Sequence, residues 1–321
     1  MSNQSSTSTQ PPFDPATGTS LVPSPGAGPG HWAGAPGAFV DGDDVYLAYR
    51  LRWPRPRRGA ELVVARGDGE HFTPIWRATR EQLRSASIER CAILRSGGSW
   101  RLYVSYVDEA DARWRIDVLE ARAPDAFDVR SRRPALTADM AGAVAVKDPW
   151  LRFHQGRWLM FVSYGALPRD AAGLHGSEDA LSTGLVKSET GLAMSEDGLR
   201  WTWVGKALAA SDSGWDAFTA RLTAVLRARG GWLGFYDGSA GLEENYEERS
   251  GLARSADLVR WERLGGGPHV GAAGGPRTVR YVECVETRRG SRFFFEYTLP
   301  DGSHELRTAV ALQPRGRSRP R

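Results

Sequence analysis

Asp41-Gly42-Asp43-Asp44-Val45-Tyr46-Leu47-Ala48-Tyr49 reads as a tight turn that releases an aromatic-rich strand, and the same phrase returns four more times. The copies are Gly97-Gly98-Ser99-Trp100-Arg101-Leu102-Tyr103, Gln155-Gly156-Arg157-Trp158-Leu159-Met160-Phe161, Gly230-Gly231-Trp232-Leu233-Gly234-Phe235-Tyr236 and Arg289-Gly290-Ser291-Arg292-Phe293-Phe294-Phe295. An apolar run leads into each turn: Ala38-Phe39-Val40, Ala92-Ile93-Leu94, Trp150-Leu151-Arg152-Phe153, Thr223-Ala224-Val225-Leu226 and Tyr281-Val282-Glu283-Cys284-Val285. Gly and Asp supply the positive φ angles that a tight hairpin turn needs. The aromatic and branched residues suit a buried pleated surface. Each copy is therefore a β-hairpin. Hairpins recurring every roughly 50 to 75 residues are the mark of a β-propeller. The expected fold is all-β, a five-bladed β-propeller, with inner strands near 36–41, 89–95, 148–153, 221–227 and 279–286.

The outer part of the blades has its own signature. Ser195-Glu196-Asp197-Gly198-Leu199-Arg200-Trp201 is matched by Ser255-Ala256-Asp257-Leu258-Val259-Arg260-Trp261. Ser and Asp side chains bond their own backbone to make such turns, and the following aromatic covers the blade edge. These Asp residues are read as structural; their carboxylates are too sparse for a calcium loop.

The chain has 321 residues and a formal charge of +4. It is read as one propeller domain over residues 31–312. Residues 1–30, rich in Ser, Thr, Pro and Gly, are expected to be disordered, and residues 313–321 to form a basic tail. Lys147, Lys187 and Lys206 are the only lysines among 42 basic residues. The arginines are scattered among nearly as many acids, with no basic helix or recognition motif, which argues against a nucleic-acid partner. No long apolar stretch would span a membrane, and no signal peptide is apparent, so the expected address is cytoplasmic. Cys91 and Cys284 sit within apolar runs and read as small buried hydrophobes. His154 and His175 lack partners at ligand spacing, so neither a metal site nor a cofactor is expected.

In a propeller the inner strands surround an axial funnel. Their entry ends fall about ten residues before the second-strand aromatic, at Ala35-Pro36-Gly37, Glu89-Arg90, Lys147-Asp148-Pro149, Arg221, and Arg280-Tyr281 with Glu283. Four of the five ends carry charge. Charged groups converging near an axis are costly unless they are paired or used. The far ends of the second strands add Asp237 and Glu296 at the same level, next to Tyr236.

This pattern resembles the superfamily of glycoside hydrolase families 43, 32, 62 and 68, over about residues 31 to 312. Lys147-Asp148-Pro149 is similar to the Arg-Asp-Pro or Asp-Pro of those enzymes, and Glu89-Arg90 to a Glu-Arg-Pro with Cys91 in place of Pro. The resemblance implies a transition-state-stabilising or pKa-tuning role for Asp148. It also implies an Asp base or nucleophile on the first inner strand, yet Trp32-Ala33-Gly34-Ala35-Pro36-Gly37-Ala38-Phe39-Val40 has no carboxylate. The base then comes from another blade, or the chemistry differs, or the site only binds.

The expected function is hydrolysis of a glycosidic bond in a small glycoside by an acid–base pair of carboxylates. A non-catalytic propeller that binds a sugar or metabolite, and a lyase or transferase on the same fold, are the alternatives. The catalytic candidates are Glu89, Asp148 and Glu247, with Glu89 as the general acid and Glu247 as its alternate. Arg90, Lys147, Arg221, Tyr236, Asp237, Asn245, Tyr281 and Glu296 are the candidates for substrate binding. Asp148 is expected to accept a hydrogen bond from Arg90 or Arg221, which would keep it charged. Two long segments are candidate covers of the funnel. One runs from Tyr236 to Arg249 and carries Asn245 and Glu247; the other runs from Leu167 to Glu189 and carries His175, Glu178, Asp179 and Lys187.

Overall fold

The computed structural model describes residues 11–167, 174, 179–270 and 278–312; His175 and Glu178 lie outside them. The first element is β1 (Thr19–Val22). A meander follows: β2 (Trp32–Asp41), β3 (Asp44–Arg52), β4 (Gly59–Gly67) and β5 (Phe72–Thr79). The next unit has β6 (Ser85–Ile88), β7 (Ala92–Ser96), β8 (Ser99–Asp108), β9 (Trp114–Ala121) and β10 (Arg133–Leu136). The third is β11 (Ala143–His154), β12 (Arg157–Ala166), β13 (Glu189–Ser195) and β14 (Thr202–Leu208). The fourth is β15 (Thr219–Ala228), β16 (Gly231–Ser239), β17 (Arg249–Ser255) and β18 (Glu262–Arg263). The last is β19 (Val279–Thr287), β20 (Gly290–Thr298) and β21 (His304–Val310). No α-helix occurs among the described residues.

Each meander pairs antiparallel, neighbour to neighbour, as the hairpin phrases require. The strands divide into four sheets, because the first and last units join into one of eight strands. The join between the meanders is a single parallel bridge, Trp32 to His304. The innermost strands pack in a ring: β2 against β7, β7 against β11, β11 against β15, β15 against β19, and β19 against β2. They span the expected segments 36–41, 148–153, 221–227 and 279–286, while β7 covers only 92–95 of 89–95.

The core lies between successive sheets. Tyr46, Leu62, Leu102 and Tyr106 fill one such layer, Tyr103, Ile116, Met160 and Val162 the next, and Phe161, Leu192, Leu222 and Trp261 the one after. Interlocking faces of this kind hold sheets together mainly by apolar burial. The Ser-x-Asp turns are structural here: Asp197 accepts from the Leu199 and Arg200 amides, and Asp257 from those of Val259 and Arg260. Trp201 and Trp261 are buried behind them.

The expectation of disorder over residues 1–30 is corrected from residue 11 onward. β1 pairs with β21 as the outer strand of the last unit. Phe13 is buried, stacked on Phe293 at 4.4 Å and against Phe235 and Phe295. The composition is that of a flexible segment, but one aromatic ring and four strand residues suffice to anchor it to an open sheet edge.

Candidate functional site

Every inner strand breaks register at one level. The breaks fall between Gly34 and Gly37, Lys147 and Trp150, Leu222 and Ala224, and Arg280 and Glu283. In the second unit the ladder opens entirely, leaving Glu89-Arg90-Cys91 between β6 and β7. Bulges of this kind re-aim side chains. At three of them the residue sits at positive φ: Ala35 at 51°, Asp148 at 57° and Tyr281 at 52°. Gly37 passes so close to the next inner strand that a Cβ there would overlap the Cys91 carbonyl oxygen.

The bulges surround a small polar cavity lined by Glu89, Lys147, Arg221 and Tyr281, with Ser182 and Tyr246 above. Its free volume is about 10 Å³, room for roughly one water. The Tyr281 hydroxyl sits 3.2 Å from Glu89 Oε2 and 3.4 Å from Asp148 Oδ2, bridging the two carboxylates. Burial pushes its phenol well above the ordinary range, and Asp148 and Glu89 add to that, so it stays a donor.

Glu89 accepts from Arg50 Nε at 3.2 Å and Arg52 Nη1 at 3.1 Å. Burial alone would raise its pKa, but Arg50, Lys147 and Arg52 outweigh it and hold the carboxyl at about 2. The expectation of a protonated general acid at Glu89 is thereby corrected. The apolar neighbours are present, but two guanidiniums from β3 reach the same carboxylate. Asp148 accepts from the Arg90 backbone amide at 3.3 Å; its Oδ2 lies 3.7 Å from both Arg221 and Lys147. The expected Arg partner is thus Arg221 at ion-pair distance, while Arg90 contributes only its backbone.

Behind this wall stands a frame of buried ion pairs. Glu248 joins Arg221 and Arg280, each at 2.6 Å. Glu296 joins Arg280 at 2.6 Å, Arg50 at 3.1 Å and His304 Nδ1 at 2.6 Å, and accepts from the Ala35 amide. Burial opposes ionisation of Glu296, but Arg280 and Arg50 hold it well below the usual carboxylate range. Asp237 is pushed up to about 7, first by burial and then by Glu248, against the pull of Arg221. It accepts from the Tyr281 amide and from Ser250.

Several candidates sit elsewhere than expected. The Glu247 side chain is half-exposed and bonds Thr278, Thr298 and His304, outside the cavity wall; its neighbour Glu248 is the buried one. Tyr236 turns away from the axis, donating to Asp216 and stacking on Trp215. Arg90 crosses the axis to Glu283 at 2.7 Å and the Thr223 carbonyl at 2.6 Å. Asn245 does reach the cavity, but its amide donates to Ser182. Tyr246, at φ 83°, meets Ser182 and Asp179 with its hydroxyl while its ring lies against Trp32. The two covering segments are therefore latched to each other.

Arg50, Arg52, Glu248, His304 and Tyr246 escape the sequence reading. Arg50 and Arg52 carry a usable signal: alternate charged residues at the end of an otherwise apolar strand share one face. His304 carries none.

No family model and no curated protein sequence matches the chain. Solved structures do. A protein described as a glycoside hydrolase superposes with a TM-score of 0.69 at 13% identity, over 98% of this chain and 95% of that one. A thermostable family-43 glycoside hydrolase gives 0.64 at 12% identity, over 88% and 91%. A β-1,2-mannobiose phosphorylase from Listeria innocua gives 0.60 at 13% identity, over 87% and 89%. The chain has the fold of the β-propeller glycoside hydrolases. The first inner strand, on which the resemblance implies an Asp, carries no carboxylate at its bulge, where Ala35 is fully buried.

Proposed function

We propose that the chain is a carbohydrate-active protein, a five-bladed propeller that takes a small glycoside in its axial funnel and acts on the glycosidic bond. The ring of packed inner strands supports the count of five. The observation that carries the function is the Tyr281 hydroxyl, on the cavity wall, bridging Glu89 of that wall and Asp148 just behind it. In this reading Glu89 is the ionised member, which stabilises positive charge developing at the anomeric carbon or takes a proton from the attacking group. Asp148, with Lys147 and Arg221 beside it, is the second carboxylate of the pair. Tyr281 orients both. The sugars held by the structural neighbours belong to those proteins; here the polar cavity and its Ser and Asn donors suit hydroxyl groups in general.

A second reading, a propeller that binds a sugar without cleaving it, is favoured by Ala35 at the first bulge. One experiment separates them. The purified protein, Glu89→Gln and Asp148→Asn are assayed on a panel of aryl glycosides and small oligosaccharides, with binding followed by calorimetry and folding by thermal melts. Catalysis predicts turnover that falls about a hundredfold or more in folded variants. A binder gives no turnover and keeps its affinity in Asp148→Asn. Neither turnover nor binding of any sugar would refute both.

A further inference from the structure

The inner strands run on past the bulges to the opposite mouth of the axis. There they surround a second cavity of about 260 Å³, against about 10 Å³ for the funnel. Its wall is apolar and aromatic, built from Phe39, Ile93, Leu94, Trp150, Phe153 and Trp158. Phe153 and Trp158, paired across the β11–β12 hairpin, pack on each other at 5.2 Å and 57°, a continuous aromatic wall on one side of the cavity. Phe153 is 55% exposed, an aromatic surface that a ligand would cover.

Charge at this mouth is unbalanced. Arg152 lines the cavity, and its Nε is buried with no hydrogen-bond partner among the described residues. Its guanidinium lies 4.4 Å over the Trp232 ring, with Arg227 at 4.7 Å from the same ring. Burial, then Arg227, pulls Arg152 below the ordinary arginine range, as two like charges without an anion would be. Among the described residues, the one acid lining the cavity, Glu283, is already occupied. It accepts from Arg90 at 2.7 Å, from Trp150 Nε1 at 3.0 Å and from the Cys284 amide at 2.9 Å. Arg90 closes the axis beneath it, also holding the Thr223 carbonyl, so the two cavities are separate.

We propose that this mouth is a second ligand site, and that it takes a small aromatic carboxylate. The ring packs on the wall made by Phe39, Phe153 and Trp158, and the carboxylate meets Arg152 at the rim, with Arg227 adding long-range attraction. An anion there relieves the repulsion between the two guanidiniums and supplies the acceptor that Arg152 lacks. A flat apolar body fills a volume that water alone would leave with unsatisfied surface.

The test uses indole-3-acetate as the probe and indole-3-ethanol as its neutral counterpart, titrated into the whole protein by calorimetry and tryptophan fluorescence. The acid is expected to bind with a Kd below about 1 mM and the alcohol about tenfold more weakly. Arg152→Gln should bring the acid to the level of the alcohol and leave the alcohol unchanged. Phe153→Ala should weaken both. Both substitutions lie at the rim, and unchanged melting temperatures establish that each variant is folded. No binding of the acid to the wild type overturns the proposal. So does equal binding of acid and alcohol, or binding of the acid that survives both substitutions.

Discussion

Glu248→Gln should cost the propeller more stability than almost any other single carboxamide substitution. Glu248 is 1% exposed and divides its two oxygens between Arg221 and Arg280, each at 2.6 Å. Burial works against the charge, but the two arginines hold the carboxyl at about 2, down from 4.5. That shift corresponds to about 3 kcal/mol of differential stabilisation. The amide keeps one acceptor but turns an NH2 toward the other guanidinium; Arg280 keeps Glu296 and Arg221 keeps Asp148 at 3.7 Å, but a buried ion pair is broken, for which about 3–5 kcal/mol is the usual loss. In a chain of this length each kcal/mol moves the melting temperature by about 2 °C, so a fall of about 6–10 °C is expected at pH 7. The pH dependence has a definite sign. A depressed carboxyl contributes its full stability above its unfolded pKa and loses it as pH falls from 4.5 toward 2. The wild type should therefore weaken over that window, and the variant should weaken less steeply. Calorimetric melts at several pH values measure both. A shift under about 2 °C at pH 7, or an acid limb of unchanged slope, would refute the assignment of Glu248 as the keystone of the frame.

Asp237 should show the opposite pH dependence. Its carboxyl is raised from 3.8 to about 7, so the folded state retains a proton that the unfolded chain gives up, and stability is lost as pH rises through that window. Asp237→Asn should flatten the slope and gain on the wild type between pH 5 and pH 8 in urea denaturation; a constant difference across that range would contradict the raised value. Tyr246→Phe deletes the hydroxyl that meets Ser182 and Asp179. Amide exchange over Leu242–Asn245 should quicken several-fold with little change in melting temperature, because this cover is a local opening unit. Unchanged exchange would show that the latch is held by ring packing instead.

The hairpins are legible in the sequence because three independent signals coincide in each: a turn residue, an apolar run before it and an aromatic run after it. The funnel was locatable for the same reason, since it lies a fixed distance from each turn. The partners within it are less legible. Glu89 and Asp148 lie on the inner-strand segments that pointed to the funnel, but which cation meets which carboxylate depends on side chains from β3 and β21, and on Glu248 just before β17, that converge across the axis. Glu247 and Glu248 illustrate the limit. They are adjacent and chemically alike, and only the entry of the chain into β17 decides which one faces inward. The outer strand β1 is invisible to composition because its stability comes from the open edge of β21, not from its own residues.

A site whose charges are paired in advance recognises a ligand differently from one that leaves them open. In the funnel, Arg50, Arg221 and Arg280 are committed to Glu89, Glu248 and Glu296, so they set the orientation of Glu89 and Tyr281 more than they attract a ligand. Such a frame resists reorganisation, which is what electrostatic stabilisation of a developing charge requires. It also leaves little space. With room for about one water, the closed funnel cannot hold a sugar ring, so entry requires the Asn245, Tyr246 and Ser182 contacts to part. The residue that would have to move, Tyr246, is already at a positive φ that a side chain disfavours. The frame is rigid where chemistry would occur and strained where a ligand would enter, and that division of labour follows from which side chains the bulges turn inward.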